Sequence, residues 1–232
     1  MELINIHEDI KWSSIPENVV FNKNANHIFR INVKVYFHRI RNIYGSHLSQ
    51  NEVEKAFRFV QKTDSERYIV AKYTLRKILS AFLLVPAVEI SFHKAENKKP
   101  YVNGIEFNVT HSKNYILIGV SSSKIGIDIE HIDHDFTYDL IASSNFSPEE
   151  LKLLNQDNSS LNFYSIWTRK EAILKASGEG LTDDMTELNS LSSIITRKQA
   201  KYRLRSFKID KEYTGCIAFE ERTPNLNYWD YQ

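Results

Sequence analysis

The sequence predicts an α+β fold of two similar halves, and three observations carry that expectation. Apolar residues recur with period two in some stretches and with helical spacing in others, so strands and helices alternate along one chain. Each half reads strand, helix, helix, strand, strand, the order of a duplicated unit. Each half also has an S-x-x-E capping box before a helical pattern, SQNE (49–52) and SPEE (147–150).

The elements follow in order. HIFRINVKVYF (27–37) places Phe29, Ile31, Val33, Val35 and Phe37 on one side and predicts a strand. Val53, Ala56, Phe57 and Val60 then recur at helical spacing over 49–62. Asp64 is a candidate cap for a second helix carrying Tyr68, Ala71, Leu75, Ile78, Leu79 and Phe82. VEISF (88–92) predicts a strand, and Asn-Gly within YVNGIEF (101–107) predicts a hairpin turn.

The second half begins with YILIGV (115–120) and IGIDIE (125–130), two strands that SSSK (121–124) can join as a hairpin. Pro148 stands at the first helical position, where its missing N–H costs nothing. The polar loop NQDNSS (155–160) precedes a helix over 162–177, and strands are expected over 201–209 and 215–220. A boundary near Ser121–Lys124 divides the chain into halves 1–121 and 122–232.

Bulk properties narrow the function. With 232 residues, 42% of them hydrophobic and 25% charged, the chain can bury a real core as one large domain or two smaller ones. A net charge of +1 gives no general attraction to polyanions, so no nucleic-acid partner is expected. One cysteine, Cys216, excludes an internal disulfide and a Cys-rich zinc site, and reads as a buried apolar residue. MELINIHEDIKW lacks the pattern of a signal peptide, and AFLLVPAV (81–88) is too short to span a bilayer, so a cytoplasmic protein without a membrane partner is expected. Of seven glycines, five lie from Gly104 to Gly180, which draws attention to mid-chain.

The chemistry concentrates there. In IGIDIE, Ile125, Ile127 and Ile129 share one side of a strand, while Gly126, Asp128 and Glu130 share the other. Two carboxylates two apart can hold a hard cation such as Mg²⁺, although the same pattern also describes solvated acids at a strand end. On the helix over 162–177, Trp167, Glu171, Leu174 and Lys175 lie close together, and Glu171 with Lys175 is also an ordinary i, i+4 pair. The helix runs into SGEGL (177–181), whose glycines let backbone pass near a ligand. KKPYV (98–102) puts lysines before a proline, and NVTHS (108–112) ends a strand with three side chains able to donate to phosphate. HIDHD (131–135) offers His131, Asp133 and Asp135, which with Asp128 could form a transition-metal site, against the simpler reading of a solvated loop.

Taken together and in order, N-K-K-P, F-N-V-T-H-S, I-G-I-D-I-E and W-T-R-K-E-A-I-L-K resemble the blocks of the 4′-phosphopantetheinyl transferases, specifically the longer surfactin-synthetase-activating (Sfp-like) class. The matching blocks cover about residues 98–181, with a looser likeness over the preceding helices. The resemblance implies a pseudo-dimer of two similar α+β halves, acting as a monomer with coenzyme A in the cleft between them. It implies transfer of the phosphopantetheine arm of coenzyme A to a serine of an apo acyl or peptidyl carrier protein, with release of adenosine 3′,5′-bisphosphate. Asp128, Glu130 and Glu171 would then surround Mg²⁺, Glu171 would be the general base, and Lys175 would contact the diphosphate. Thr110 and His111 would bind the 3′-phosphate, Lys99 and Pro100 would flank the nucleotide, and Lys55 and Arg67 would make further phosphate contacts.

This chain departs from the family pattern at Thr110, where serine is usual, at Glu52, where relatives carry a basic residue, and at Glu179, where lysine is common. The residues alone also fit a Mg²⁺-dependent phosphohydrolase, or a non-catalytic module that binds coenzyme A or a carrier.

Overall fold

The computed structural model describes residues 7–94, 99–157, 159–180, 185–223 and 225–232. Lys98, Asn158 and Leu181, which belong to three of the motifs above, lie outside the described residues. The chain opens with β1 (His7–Glu8), β2 (Ser13–Ser14) and β3 (Asn26–Asn32), then α1 (Val33–Ile40), α2 (Gln50–Phe57) and α3 (Lys62–Leu83). Strands β4 (His93–Lys94), β5 (Pro100–Tyr101), β6 (Glu106–Ser112), β7 (Tyr115–Ser121) and β8 (Ile125–His131) follow. Helices α4 (Asp139–Asn145), α5 (Pro148–Gln156) and α6 (Ser160–Ser177) precede β9 (Ile194–Arg197), β10 (Ala200–Asp210), β11 (Tyr213–Glu220) and β12 (Leu226–Asp230).

Two mixed sheets organise the fold. The first has the order β2-β12-β3-β7-β6, and the second β1-β10-β11-β8 with β9 also on β10. The chain ends are exchanged between them. β1 pairs with β10 of the second sheet, while β12 runs parallel to β3 inside the first. Each sheet carries a long helix on one face. α3 lays Leu75, Ile78, Leu79 and Phe82 against Phe29, Ile31, Ile116 and Ile118. α6 lays Ala172, Ile173 and Ala176 against Leu204, Cys216 and Ala218. A third apolar cluster joins the two sheets: Ile28 and Leu117 of the first meet Ile125, Ile127, Ile129 and Ile217 of the second. The isoleucine side of β8 is therefore the contact between sheets, as its alternation predicts.

Both capping boxes form. Ser49 and Glu52 start α2, and Ser147 and Glu150 start α5 with Pro148 in its first turn. The Asn103-Gly104 turn also forms, with Gly104 at φ 88 and a bridge between Val102 and Ile105. Several expectations are corrected. The strand over 27–37 stops at Asn32, whose side chain accepts from the Val35 N–H and caps α1; Val33, Tyr36 and Ile40 then face the core. α2 ends at Phe57, and Phe57 and Val60 stand 76% and 96% exposed rather than completing an apolar face. Asp64 lies in the first turn of α3, paired with Arg67, and Gln61 occupies the cap position.

VEISF is not a strand. The buried Arg76 guanidinium donates to the Ala87 and Ile90 carbonyls at 2.7 and 3.0 Å, withdrawing acceptors that a ladder needs and holding a 3₁₀ turn at Ala87–Glu89. β7 and β8 are not a hairpin either. Both edges of β7 are occupied, by β3 and β6, so the chain crosses at Ser121–Lys124 into the other sheet, where β8 pairs with β11.

Gly126, on the acidic side of β8, admits a helix. A Cβ built there lies 2.1 Å from the Ala172 carbonyl oxygen and 2.4 Å from the Ala176 nitrogen, both backbone atoms of α6. Gly126→Ala should therefore destabilise the protein by about 1–3 kcal/mol or more. Urea denaturation checks it: an unchanged midpoint would show that α6 can retreat without cost.

Candidate active site

α6 sets the geometry. Ser159 accepts from the Asn162 N–H at its start, and Gly178, at φ 75, ends it in the left-handed conformation. Its rotation is fixed by two buried cations. The fully buried Lys170 ammonium reaches Glu150 at 2.8 Å and the Met185 carbonyl at 2.7 Å. Arg169 donates to the carbonyls of Ser190 and Ser192 and to the Ser206 hydroxyl. Glu150 thus serves three times, as the carboxylate of a capping box, as counter-ion to Lys170 and as acceptor for the Ser190 N–H and hydroxyl. Only the first role is legible in the sequence. Trp167 is stacked on Phe163 with centroids 6.3 Å apart, as part of the helix packing.

With α6 held in this way, Lys175 faces β8. Its ammonium lies 2.6 Å from Asp128 Oδ1 and 3.9 Å from Glu171. Asp128 is 3% exposed; Oδ1 also accepts from the Thr110 hydroxyl at 3.0 Å, while the buried Oδ2 has no partner among the described residues. Glu130 lies two residues on, and Ser112 donates to its Oε2 at 3.1 Å.

Each carboxylate is harder to ionise than in water. Burial raises Asp128, opposed by Lys175 and the Thr110 hydrogen bond. Burial, and then the charge of Asp128, pushes Glu130 up to about 7. Burial and Asp128 also raise Glu171, with Lys175 opposing. Three acids therefore share a half-buried space with one ammonium.

Among the described residues, no three His, Cys, Asp or Glu side chains close around a point that could hold a metal ion on their own. Asp128, Glu130 and Glu171 act on one another through their charges without forming such a cage, and Lys175 takes one oxygen of Asp128. The donor set still fits a hard cation. It is all oxygen, one buried carboxylate oxygen is orphaned, and remaining positions can be filled by phosphate or water. At HIDHD, likewise, there is no metal cluster among the described residues; Asp133 accepts from the Asp135 N–H, and His131 packs edge-on against Tyr213.

The other wall comes from the first sheet and α3. His111, on β6, has its imidazole pKa lowered by burial and then by the charge of Arg67, with Lys175 adding to it, so all three share one field. Lys99 donates to the Lys175 carbonyl at 3.0 Å, and burial lowers its pKa. Lys99 and Pro100 border two cavities. One, of about 190 Å³, lies between α3 and β6, lined by Ala71, Leu75 and Val109; the other, of about 320 Å³, reaches Ser177 and Gly178. Lys55, on α2, lies over the Tyr68 ring of α3 at 5.2 Å.

Thr110 differs from expectation. Its single O–H proton is given to Asp128, so in this arrangement its side chain has none left for a phosphate. Glu52 is explained, because it accepts from Ser49 and Arg76 and turns into the core. Glu179 is held at 2.9 and 3.1 Å by Arg197. Cys216 is fully buried, opposite Asp128 in the β8–β11 ladder, and burial pushes its thiol up to about 11.

Glu130 generates a pH prediction. Between its ordinary value of 4.5 and the value of about 7 in the fold, the folded protein holds more protons than the unfolded chain. Its contribution to stability is thus lost as pH rises through that window. In metal-free protein, Glu130→Gln should raise Tm by ~2–4 °C near pH 8, with the gain fading towards about pH 5. Calorimetry at the two pH values checks it; a gain equal at both would show that the carboxylate's charge is not strained.

Comparison with known proteins converges on one family. A sequence signature described as "4′-phosphopantetheinyl transferase, N-terminal" matches residues 41–123, and one described as "4′-phosphopantetheinyl transferase superfamily" matches residues 124–223. The 4′-phosphopantetheinyl transferase gsp of Aneurinibacillus migulanus is 31% identical over 185 residues, 78% of this chain and 69% of that protein. The 4′-phosphopantetheinyl transferase Sfp of Bacillus subtilis is 28% identical over 202 residues, 81% of this chain and 89% of that protein. HetI of a Nostoc strain, also named a 4′-phosphopantetheinyl transferase, is 29% identical over 73% of this chain and 76% of its own. The chain belongs to the 4′-phosphopantetheinyl transferase superfamily, in its Sfp-like class.

Proposed function

We propose that this protein transfers the 4′-phosphopantetheine arm of coenzyme A to a serine of an apo acyl or peptidyl carrier protein, releasing adenosine 3′,5′-bisphosphate. One observation supports it most: α6 presents Glu171 and Lys175 to the acids of β8, within the electrostatic reach of His111 and Arg67. The relatives are named as transferases, which favours this reading over a phosphohydrolase or a binding module.

In the proposed reaction the carrier serine Oγ attacks the phosphorus bearing the pantetheine arm. The bond from that phosphorus to the departing adenosine bisphosphate breaks, and the serine proton passes to Glu171. The raised pKa of Glu171 suits a group that must accept a proton and later release it. Lys175 places an ammonium where charge grows on the leaving phosphate. Asp128 and Glu130, with Glu171, would hold Mg²⁺. When bound, the cation supplies positive charge that offsets the diphosphate and the growing charge on the leaving group.

His111 and Arg67, with Lys55, form the proposed phosphate-binding wall, to which Thr110 contributes through its place beside them. Lys99 and Pro100 flank the proposed nucleotide position, where the slot between α3 and β6 offers Ala71, Leu75 and Val109 to a flat ring. The halves 1–121 and 122–232 supply the two walls of a cleft, which fits a monomer. No described helix is long and apolar enough to cross a membrane. We place the protein in the cytoplasm, with coenzyme A and a carrier as partners and no nucleic acid or membrane.

Two outcomes are expected. Protein, coenzyme A and Mg²⁺ should add one phosphopantetheine mass to an apo carrier; intact-mass spectra with no shift across acyl and peptidyl carriers would overturn the function. Glu171→Gln should lower kcat by about 10²–10⁴-fold, with coenzyme A binding retained in calorimetry. Full activity in that variant would remove Glu171 as the base.

A further inference from the structure

β6 and β8 belong to different sheets, and each is the last strand of its sheet. They nevertheless run side by side in the same direction, joined by side chains at a nearly constant offset. Lys124 meets Glu106 at 3.2 Å, the Ile127 N–H donates to Asn108 Oδ1 at 3.0 Å, and Thr110 donates to Asp128 at 3.0 Å. The next rung is Ser112. Its hydroxyl donates to Glu130 Oε2 at 3.1 Å and accepts the His131 N–H at 3.0 Å.

That double bond fixes a direction. A serine hydroxyl can rotate, and one without other partners could serve a neighbouring carboxylate as donor or turn away from it. Here the backbone N–H of His131 approaches the oxygen, so the proton points to Glu130. The backbone that carries Glu130 thus orients the hydroxyl that grips the Glu130 side chain. A long acidic side chain at a strand end ordinarily samples several rotamers; this one is clamped from the opposite sheet.

We propose that Ser112 is a positioning residue for Glu130, holding its carboxylate in the orientation used for the divalent cation without itself touching the cation or coenzyme A. The inference rests on the reading of Glu130 as one of the acids that hold that cation. Outer partners of metal-binding carboxylates commonly govern affinity by about 10–100-fold, which sets the size of the effect.

The experiment uses the full chain with saturating coenzyme A and Mn²⁺ as the probe, free Mn²⁺ being read from its electron paramagnetic resonance signal. Ser112→Ala should weaken Mn²⁺ binding by about tenfold. Ser112→Thr, which restores a hydroxyl, should recover most of that loss. Coenzyme A binding without metal, measured by calorimetry, should be unchanged in both. Glu130→Gln is the control for the underlying reading. If Glu130→Gln weakens Mn²⁺ binding and Ser112→Ala does not, the positioning role is overturned while Glu130 keeps its place. If Glu130→Gln itself leaves Mn²⁺ affinity unchanged, the reading of Glu130 falls and the proposal with it. A Ser112→Ala variant that loses metal-free coenzyme A binding equally would mark Ser112 as a ligand contact, which also overturns the proposal.

Discussion

The contact between α6 and Gly126 is the constraint on which the site depends. A helix normally rides on a sheet at a distance set by side chains, about 10 Å between axis and sheet. Here the helix backbone at Ala172 and Ala176 meets a residue with no side chain, and the small alanines are fully buried. The close approach lets a lysine on α6 reach an aspartate on β8 directly, at 2.6 Å. On its other side the helix is fixed by Lys170 and Arg169, buried cations satisfied by carbonyls and by Glu150. Removing one partner of such a pair is costly because the other charge stays buried alone. The acids and the lysine therefore face each other across rigid elements rather than across loops.

The second constraint is the seam between the sheets. Terminal strands leave N–H and C=O groups free and invite unwanted pairing. β6 and β8 cover each other with side chains instead of a backbone ladder, so Asn108 and Ser112 take the Ile127 and His131 N–H groups that strand pairing would have occupied, and Thr110 reaches the Asp128 carboxylate. The exchanged termini reinforce the arrangement, since β1 and β12 each belong to the sheet built mainly from the other end of the chain. Parting the sheets would break strand pairing as well as side-chain contacts, which favours a cleft whose walls are set before a ligand arrives.

What was legible in the sequence followed from local chemistry. The capping boxes at Ser49 and Ser147, the Asn103-Gly104 turn and the alternation of β8 each encode their own geometry within a few residues, and each formed. Local pattern does not decide where a distant partner does. VEISF has strand composition, but Arg76 takes its carbonyls. The apolar alternation of 27–37 suits a strand, but Asn32 caps a helix within it. β8 follows β7 closely, but β7 has no free edge. At the site, the acids and Lys175 were visible as motif residues. The task of Gly126 was visible only as a glycine, since its neighbour is forty-six residues away in the chain at Ala172. Ser112 gave no signal beyond lying in NVTHS, because its two bonds cross between sheets.

Charge then links the site to its proposed ligand. Asp128, Glu130 and Glu171 carry three negative charges when ionised, and Lys175 offsets one of them. The excess is already felt, since Asp128 raises the pKa of both Glu130 and Glu171. A diphosphate brought to this place would add further negative charge and be repelled. Arg67 and His111 attract it from the opposite wall, but Arg67 is shared with Asp64, and His111 loses protons more readily beside Arg67 and Lys175. Positive charge entering with the diphosphate would relieve the repulsion, and a divalent cation held by Asp128, Glu130 and Glu171 would supply it, the unpartnered Asp128 Oδ2 being free to accept it. On this argument the proposed Mg²⁺ and coenzyme A are coupled ligands: neither satisfies the site alone, and each lowers the electrostatic cost of the other.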